Sequence, residues 1–451
     1  MAGEELVGPL PERWEQTTLG EACKRGGGNI QTGPFGSQLH AADYVPDGVP
    51  SIMPQNIGDN RVVENNIARI TATDAKRLSR YLVRKGDIVY SRRGDVERRA
   101  LIRDREDGWL CGTGCLRVRF GPGDVDSVYV SYYLDHPNVR EWIVRHAHGA
   151  TMPNLNTSIL SALPFVVPPL PEQRAIAHIL GTLDDQIEMN RRMNETLEAI
   201  ARALFKSWFV NFDPVRAKAE GRDPGLPKPI ADLFPDSFED SELGEIPKGW
   251  RAGKVEEFAT LSRDSISPGE FPDEVFDHFS IPAFDEGQRP KAERGAEIKS
   301  NKFIVPSDAV LVSKLNPRIP RIWLPVVREN HRAVCSTEFL VTVPSPGVSR
   351  EFLYSFFLSD TFAGVFETLV TGTSGSHQRV KPENLLALDV VIPGEPVIRQ
   401  FEDLVRPLLT RVTHSRDKSD TFVSLRNTLL PKLISGELRL KDSDRFIGRA
   451  S

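Results

Sequence analysis

The motif LPERW at residues 10–14 occurs again as IPKGW at residues 246–250, 236 positions later. A second motif, two leucines three positions apart followed by three apolar residues and a proline, occurs at residues 160–168 and returns 225 positions later at residues 385–393. A repeat of this length indicates a duplicated domain rather than a solenoid. The stretches between the motifs share little sequence, so we expect one scaffold that carries two different surfaces.

A long amphipathic segment follows each copy of the second motif. Its stripe residues recur at alternate steps of three and four, which is the heptad pattern of a coiled coil. The first stripe runs through Ile176, Leu180, Leu183, Ile187, Asn190, Asn194, Leu197, Ala201, Leu204 and Trp208. The second stripe runs in two blocks, through Val397, Phe401, Leu404 and Leu408, then Phe422, Leu425, Leu429 and Leu433. A single core helix carries a similar stripe, but its presence after both copies favours two long helices that pack as an antiparallel coiled-coil pair.

Three residues of these segments carry specific expectations. Asn190 and Asn194 occupy consecutive positions of the first stripe. Buried asparagines there would fix the register of the helix pair, whereas helices that splay apart would leave both amides in water. Pro407 lacks a backbone donor and clashes with the preceding turn, so we expect a kink, or a helix that restarts at Arg406.

The composition is typical of a soluble globular protein. The 451 residues are 39% hydrophobic and 26% charged, and such a length corresponds to about three domains. No signal sequence opens the chain and no apolar run is long enough to span a bilayer, which predicts a cytoplasmic protein with no membrane partner. Cys23, Cys111, Cys115 and Cys335 are too scattered for a disulfide framework and lack further zinc ligands, so no metal site is expected.

The net charge of −5 is unevenly distributed. Residues 76–105 carry eleven basic and four acidic side chains, and residues 289–332 carry ten basic and four acidic ones. The rest of the chain is therefore strongly acidic. Basic stretches at equivalent places in both copies indicate two phosphate-binding faces, although a charged run alone is more often a solvated surface.

The motifs of nucleotide binding and methyl transfer are missing. The sequence has no G-x-x-x-x-G-K-[ST] loop for ATP. Residues 211–214 (NFDP) come nearest to the N/D-P-P-F/Y motif of an amino-methyltransferase, and they lack its paired prolines. We therefore expect no catalytic residue and no cofactor in this chain.

Several segments resemble the specificity (S) subunit of type I DNA restriction-modification enzymes. LPEQRAIA at residues 170–177, LDDQI at 183–187 and LFKSWF at 204–209 are similar to the central region of that subunit. GPFGS at residues 33–37 and the ending at residues 425–438 are similar to it as well. The resemblance covers essentially the whole chain, except that the second copy has no counterpart of GPFGS.

The resemblance implies a non-catalytic reader of DNA with an α/β (α+β) fold. Two tandem target recognition domains, related by a pseudo-twofold internal repeat, would be separated by the two long helices of the antiparallel pair. The expected boundaries are 1–169 for recognition domain 1, 170–212 for a central helical spacer, 213–245 for a linker, 246–393 for recognition domain 2, 394–440 for a C-terminal helical spacer and 441–451 for a tail.

The same resemblance implies partners that supply the chemistry. Each recognition domain would read one half of a split site in double-stranded DNA, and the helices would set the unread spacer and hold two methyltransferase (M) subunits. Those subunits would bind S-adenosylmethionine and flip an adenine for methylation at its exocyclic nitrogen. Motor-nuclease (R) subunits would add ATP- and Mg-dependent translocation and cleavage. None of these cofactors is expected on this chain.

The candidate contact residues follow from the side chains that suit each role. Arginine and lysine read guanine edges, and asparagine and glutamine read adenine. In the first domain the base-reading candidates are Gln38, Arg92, Arg93, Asn154 and Asn156, with Ser37 and Arg98 or Arg99 on phosphate. In the second domain they are Lys314, Asn316, Arg318, Arg321, Ser376, His377, Gln378 and Arg379. For partner subunits the candidates lie off the helix stripe, on an outer face, and are Gln173, Arg174 and Asp184.

Two other classes of protein remain open from the residues alone. A self-sufficient restriction and methylation enzyme would need the motifs that are missing here. A coiled-coil scaffold that never touches DNA would have no need of the two basic stretches.

Overall fold

The computed structural model describes four stretches of the chain, residues 6–149, 153–328, 330–371 and 378–439. The chain divides into two compact units. Unit 1 comprises Met1–Met189 and Ser419–Ser451, and unit 2 comprises Asn190–Lys418. Each unit contains one copy of the repeat and part of each long helix. The mixed helix and sheet fold predicted from the sequence is therefore confirmed.

Unit 1 consists of short strands and helices followed by one long helix. The strands are β1 (Glu15–Thr18), β2 (Asn29–Thr32), β3 (Tyr44–Val45), β4 (Val49–Ile52), β5 (Ala68–Ile70), β6 (Ile88–Ser91), β7 (Arg99–Leu101), β8 (Leu110–Cys111), β9 (Cys115–Arg119) and β10 (Pro164–Val167). The short helices are α1 (Leu19–Arg25), α2 (Ala72–Arg77), α3 (Ser127–Tyr133), α4 (Pro137–His146) and α5 (Thr157–Ala162). The long helix α6 (Leu170–Phe205) follows β10, and a π-helical turn at Lys206–Val210 continues it.

Unit 2 repeats this plan with additional elements. The strands are β11 (Phe238–Ser241), β12 (Gly244–Pro247), β13 (Arg251–Lys254), β14 (Ala259–Ser262), β15 (Ser265–Ile266), β16 (Val275–Phe279), β17 (Lys291–Arg294), β18 (Lys302–Ile304), β19 (Val310–Ser313), β20 (Ile322–Trp323), β21 (Arg332–Cys335), β22 (Phe339–Pro344), β23 (Val370–Thr371), β24 (Arg379–Val380) and β25 (Asp389–Ile392). The helices are α7 (Asp213–Ala219), α8 (Lys228–Ala231), α9 (Ile281–Asp285), α10 (Arg350–Phe357), α11 (Asp360–Thr368), α12 (Pro382–Leu386) and the long α13 (Glu395–Ile434).

The segment predicted as a linker, residues 213–245, is folded within unit 2. It forms α7, α8 and the hairpin β11–β12. The ring of Phe234 packs edge-on against Trp208, with 4.9 Å between the ring centroids. Val215 is buried in the same hydrophobic core. These apolar side chains make the segment part of unit 2.

In both units the strand that directly follows the first motif pairs with the strand formed by the second motif. β1 runs antiparallel to β10 with Glu15 opposite Val167, and β13 runs antiparallel to β25 with Arg251 opposite Ile392. These two pairings reproduce the 236- and 225-residue offsets of the sequence. The apolar run of the second motif is conserved between the copies because it forms one strand of this framing pair.

Each unit also contains an antiparallel sheet of the same strand order. The order is β2-β9-β6-β7 in unit 1 and β14-β22-β19-β20 in unit 2. The central strands β6 and β19 are fully buried. The remaining sheets differ, with the order β3-β5-β4-β8 in unit 1 and β15-β18-β21-β16-β17 in unit 2. A common frame therefore carries unlike elements, as the sequence predicts.

The long helices α6 and α13 pack together in antiparallel orientation, as predicted. In unit 1, Arg426 donates to Asp184 at 2.8 Å, and Arg439, beyond the end of α13, donates to Glu172 at 3.5 Å. In unit 2, Arg416 donates to Glu198 at 2.8 Å, and the rings of Phe205 and Phe401 lie 5.7 Å apart. In each unit the residue numbers rise along α6 as they fall along α13, which defines the antiparallel sense.

In the predicted stripe of α13, Val397, Phe401 and Leu433 are buried as predicted, but the register between Phe401 and Leu433 is wrong. Leu404 and Leu425, both predicted to face the partner helix, are 37% and 45% exposed. Val405 and Leu409 are buried instead. From Phe401 the sequence offers an apolar residue both three and four positions later, and the packed helix uses the step of four.

The three residues with specific expectations behave differently from one another. Asn190 and Asn194 are both buried, so the alternative in which the helices splay and leave them in water is wrong. Helix α13 is continuous through Pro407, so the predicted restart at Arg406 is also wrong. The side chain of Pro407 is exposed.

A buried cluster of charged side chains lies at the start of strand β6 in unit 1. Asp87 accepts from Arg119 at 2.7 and 2.5 Å, and Arg117 lies 4.0 Å from the same carboxylate. Arg117 also donates to the carbonyls of Arg80 and Leu82 at 2.9 and 3.1 Å. Because the carboxylate and Arg117 are buried, their charges depend on each other for compensation.

Replacing Asp87 with alanine is expected to lower the free energy of unfolding by about 3–5 kcal/mol, because two arginines lose their buried counter-charge. The control is Asp104→Ala, which removes a carboxylate that is 81% exposed and paired with Lys85. Such a surface pair contributes at most about 1 kcal/mol. Chemical denaturation measures both variants, and equal losses of stability would contradict the role given to the cluster.

Candidate nucleic-acid interface

In unit 1 the end of the central strand β6 continues into a short paired segment. Residues 92–94 lie beside residues 153–155, and together we call them the first ridge. The amide of Arg92 donates to Gly114 O at 2.8 Å, and the carbonyl of Arg92 accepts from Leu155 N at 2.8 Å. The amide of Gly94 donates to Pro153 O at 3.1 Å. The backbone of the first ridge is therefore fixed by the sheet on one side and by the second segment on the other.

Unit 2 builds the same structure after the central strand β19. Residues 314–316 lie beside residues 378–380, and together we call them the second ridge. The amide of Lys314 donates to Glu338 O at 2.9 Å, and the carbonyl of Lys314 accepts from Val380 N at 3.1 Å. The amide of residue 316 donates to the carbonyl of residue 378 at 3.1 Å. Each of these bonds has its counterpart in the first ridge.

Further features of the two ridges coincide. The hydroxyl of Ser91 donates to the carbonyl of Arg93 at 3.0 Å, and that of Ser313 to the carbonyl of Leu315 at 3.1 Å. The third position has a left-handed backbone in both ridges, with φ of 74° at Gly94 and 49° at Asn316. Glycine adopts such a conformation freely, and asparagine is among the few other residues that favour it.

The side chains of the ridges differ where the backbones agree. Both begin with a cation, Arg92 in the first and Lys314 in the second. The following pairs of cross-strand neighbours are unlike: Arg93 lies opposite Asn154, and Leu315 lies opposite Arg379. Two equivalent backbones therefore present two different sets of hydrogen-bonding groups.

The GPFGS loop lies next to the first ridge. The guanidinium of Arg92 lies 5.9 Å from the ring centroid of Phe35, which is exposed. A side chain at Gly33 would meet the Gly112 carbonyl at 2.1 Å, so only glycine allows this approach. The side-chain oxygen of Gln38 accepts from Tyr81 at 2.7 Å. The loop is thus held against the basic stretch.

The other candidate residues of unit 1 fall into two groups. Ser37, Arg93 and Arg98 are exposed, although Arg98 pairs with Asp95 at 2.8 Å. Arg99 and Asn156 have structural roles. The side chain of Arg99 is buried and lies 3.0 Å from Asp135, so the prediction that it faces phosphate is wrong. The side chain of Asn156 caps α5 by accepting from Ile159 N at 2.8 Å.

In unit 2 all three candidate arginines already have a carboxylate partner. Arg318 pairs with Glu367 at 2.9 Å, and Arg321 pairs with Asp285 at 2.7 Å. Arg321 is buried, so its predicted role in base reading is wrong. Arg379 donates twice to Glu338, at 2.9 Å each, and this hydrogen bonding lowers the pKa of the Glu338 carboxyl.

The remaining candidates of unit 2 lie in or beside the second ridge. Lys314, Asn316 and Gln378 are half-buried members of the ridge. Ser376 and His377 lie outside the described residues.

The candidates for partner binding lie in three different environments. Gln173 is completely buried, where it donates to the Asp124 and Pro168 carbonyls at 2.7 Å each. Asp184 accepts from Tyr132 at 2.7 Å and from α13. The prediction of an outer face is therefore wrong for these two residues. Arg174 is exposed, and its role in partner binding stays a prediction.

The sequence analysis missed two residues of the first ridge's surroundings. Phe35 is a large exposed aromatic residue beside Arg92, and the GPFGS motif that contains it is the sequence signal for its position. Arg77 donates to the Gln38 carbonyl at 2.9 Å, which places this member of the basic stretch at the same loop.

The ridges offer groups that remain unsatisfied. Arg92, Arg93 and Lys314 form no ion pair among the residues that the structure describes. Arg92 Nε and Asn154 Oδ1 are buried and have no hydrogen-bond partner within the same residues. A cation and an amide oxygen in such positions can bind the edge of a base or a phosphate.

The cysteines are unsuited to metal binding. Cys111 and Cys115 lie buried in an apolar cluster, and burial raises the pKa of the Cys111 thiol to about 12. A metal ligand is the thiolate, which this environment disfavours. Across residues 6–149, 153–328, 330–371 and 378–439, no group of three or more histidine, cysteine, aspartate or glutamate residues is placed to hold a metal ion. No helix in these ranges is long and apolar enough to cross a membrane.

Comparison with known proteins gives a consistent result. Residues 11–199 match the family model described as type I restriction modification DNA specificity domain. The specificity subunit of the type I restriction enzyme MjaIX from Methanocaldococcus jannaschii is 23% identical, over 97% of this chain and 96% of that protein. The HindI specificity subunit from Haemophilus influenzae is 24% identical, over 86% of this chain and 95% of that protein. The crystal structure of a type I restriction-modification S subunit from M. genitalium shares the fold, with a TM-score of 0.55 at 14% identity, over 95% of this chain and 98% of that one.

Proposed function

This chain belongs to the family of type I restriction-modification DNA specificity subunits, and we propose that each of its units reads one half of a bipartite site in double-stranded DNA. The observation that carries the proposal is the equivalence of the two ridges. The same backbone hydrogen bonds recur after β6 and β19, while the side chains differ. A duplicated frame with unlike side chains suits the reading of two unlike half-sites.

Within each unit we assign base reading to the ridge. Arg92 and Lys314 stand at the same position and form no ion pair in the described parts of the chain. A free cation beside a base edge suits guanine, and the Asn154 side chain suits adenine. The exposed Arg93 and Ser37 then serve the backbone phosphates, which position the protein without specifying sequence.

The helix pair is proposed to set the spacer and to bind two methyltransferase subunits. Each unit carries one large exposed apolar residue on each helix: Met189 and Leu425 in unit 1, Ile200 and Leu404 in unit 2. Exposed apolar side chains on a helix support a protein partner. One such pair per unit fits one methyltransferase subunit per unit.

The methyltransferase subunits are proposed to bring S-adenosylmethionine and to act on a flipped adenine. Motor-nuclease subunits, with ATP and Mg, would complete the restriction enzyme. The role of this chain in that assembly is to select the DNA sequence.

A paired assay separates this function from its rivals. The purified chain alone should transfer no methyl group from S-adenosylmethionine to DNA, and addition of its methyltransferase subunit should start transfer at specific adenines. In a gel shift the assembled complex should retard DNA that contains the site and release it when unlabelled site is added. Methyl transfer by the chain alone would identify a self-sufficient enzyme. A chain that never retards DNA, alone or with its partner, would be a scaffold.

A further inference from the structure

Unit 2 contains an open apolar groove whose lining includes no residue of the second ridge. Its volume is about 300 Å³, and phenylalanine side chains supply much of its lining. The principal lining residues are Phe209, Phe352, Phe356, Phe362, Leu243 and Val365. Leu243 and Val365 are 41% and 43% exposed. An apolar surface of this kind in water favours an occupant.

The internal repeat identifies the equivalent place in unit 1. The capping residues of α3 and α10, Asp126 and Ser349, are 223 positions apart, as are those of α4 and α11, His136 and Ser359. With this offset Tyr133 corresponds to Phe356. Tyr133 also lines the equivalent site in unit 1, together with Pro164 and Val166 of β10.

In unit 1 that site is filled by the chain itself. Leu6 and Val7 are buried there, with Leu10 packed against the same core. The side chain of Asn138, on α4, donates to the Leu6 carbonyl at 2.7 Å. The occupant is thus a short aliphatic segment held by its side chains and by one backbone hydrogen bond.

Unit 2 lacks this occupant because its chain takes another course. With the 236-residue offset, Leu243 corresponds to Val7. The side chain of Val7 is 7% exposed, whereas that of Leu243 is 41% exposed. Leu243 lies in the turn of the hairpin β11–β12, where its amide donates to the Ser241 hydroxyl at 3.1 Å. The hairpin therefore places Leu243 in the lining of the groove, where it does not fill the groove as Val7 fills its site. Trp142, buried in unit 1, is replaced by the smaller Val365 in unit 2.

The groove keeps the other features of the filled site. Thr361 lines it at the position that corresponds to Asn138, and within the described chain no hydrogen bond satisfies its hydroxyl. Glu245 and Asp389 also line the groove. Both carboxylates are exposed and form no ion pair with a described residue. The rim therefore favours a basic residue beside the aliphatic ones.

We propose that this groove binds an aliphatic peptide segment of a separate polypeptide, flanked by a basic residue, in the way that Leu6 and Val7 fill the equivalent site of unit 1. The aliphatic side chains enter among the phenylalanines, and Thr361 donates to a backbone carbonyl of the segment. The basic residue pairs with Glu245 and Asp389. This docking site does not depend on DNA binding.

The test uses the full chain and labelled peptides without DNA. The first peptide has the sequence of residues 4–10 with both glutamates replaced by lysine. The second peptide carries the same two lysines and, in addition, serine at the positions of Leu6 and Val7. Fluorescence anisotropy should show that the first peptide binds, more tightly at low salt, and that the second binds at least about tenfold more weakly. The peptide with the native glutamates should also bind more weakly than the lysine peptide.

Two arginine variants locate the binding. Val365→Arg should weaken binding of the lysine peptide at least about tenfold. Val144→Arg is the matched control, because Val144 is also 43% exposed and lies on α4 of unit 1, where it does not line the groove. It should bind as the unchanged chain does. Absence of binding by the lysine peptide, or equal binding by both variants, would overturn the proposal. Thermal unfolding of each variant confirms that it is folded.

Discussion

Exchange of residues 213–393 for the equivalent segment of another specificity subunit is expected to change one half of the methylated DNA motif completely and to leave the other half unaltered. The segment carries the second ridge and the framing pair β13–β25. It also includes α7, α8 and the β11–β12 hairpin, because their apolar residues belong to the core of unit 2. Sequencing of methylated adenines in DNA modified by the assembled complex measures both half-sites at once.

The reciprocal exchange provides the control. Replacing residues 6–169 should change the half of the motif that unit 1 reads. The half that unit 2 reads should stay unaltered. A motif in which both halves change after either exchange would mean that the two units read jointly. If the original motif is retained after the 213–393 exchange, the second ridge does not read bases.

Lengthening both long helices by four residues is expected to lengthen the unread spacer by about one to two base pairs. The insertions go after Met189 in α6 and after Lys418 in α13, where the two units meet in sequence. Four residues add about 6 Å and turn each helix by about 400°, close to a full turn. One base pair corresponds to about 3.4 Å. The spacer is read from the methylated motif of the variant.

Insertion of two residues at the same places is the control. It turns each helix by about 200°, so the buried row that includes Val405 and Leu409 would face away from its partner. This variant should fail to assemble. If the four-residue variant is active with an unchanged spacer, the partner subunits set the distance and the helices act only as a tether.

The repeated frame could be predicted from the sequence because its signals are local. Strands β10 and β25 contain apolar runs that are followed by a proline, and strands β1 and β13 directly follow the P-x-x-W motif. The spacing of these signals recurs in both copies. The helix pair was predictable for the same reason, because the heptad pattern of each helix is a local pattern of apolar residues in the sequence. The register of α13 was not, because Leu404 and Val405 are equally apolar and only packing distinguishes them.

The functional residues were harder to predict because charge alone does not reveal a side chain's partner. Arg99 and Arg321 lie in the basic stretches, yet each pairs with a carboxylate 36 positions away, Asp135 and Asp285. Such pairs depend on the tertiary fold. Gln173 could not be recognised as a buried hydrogen-bonding residue because its partners are backbone groups, two carbonyls and the amide of Asp126.

The central claim is that two equivalent ridges read two separate half-sites, and binding measurements on a set of four DNA duplexes test it most directly. Once the methylated motif is known, one duplex carries the intact site, two carry one scrambled half each, and one carries both halves scrambled. Each duplex is titrated with the assembled complex that contains the unchanged chain, Arg92→Ala or Lys314→Ala.

Arg92→Ala should weaken binding to the intact site by about 1–3 kcal/mol, or roughly 5- to 150-fold. It should have the same effect when the half-site of unit 2 is scrambled and almost none when its own half-site is scrambled, because its contact is then already lost. Lys314→Ala should give the mirror pattern. If each variant loses the same binding affinity on all four duplexes, both residues contact only phosphates. If the effects of both variants depend on the same half-site, the account of two independent readers is contradicted.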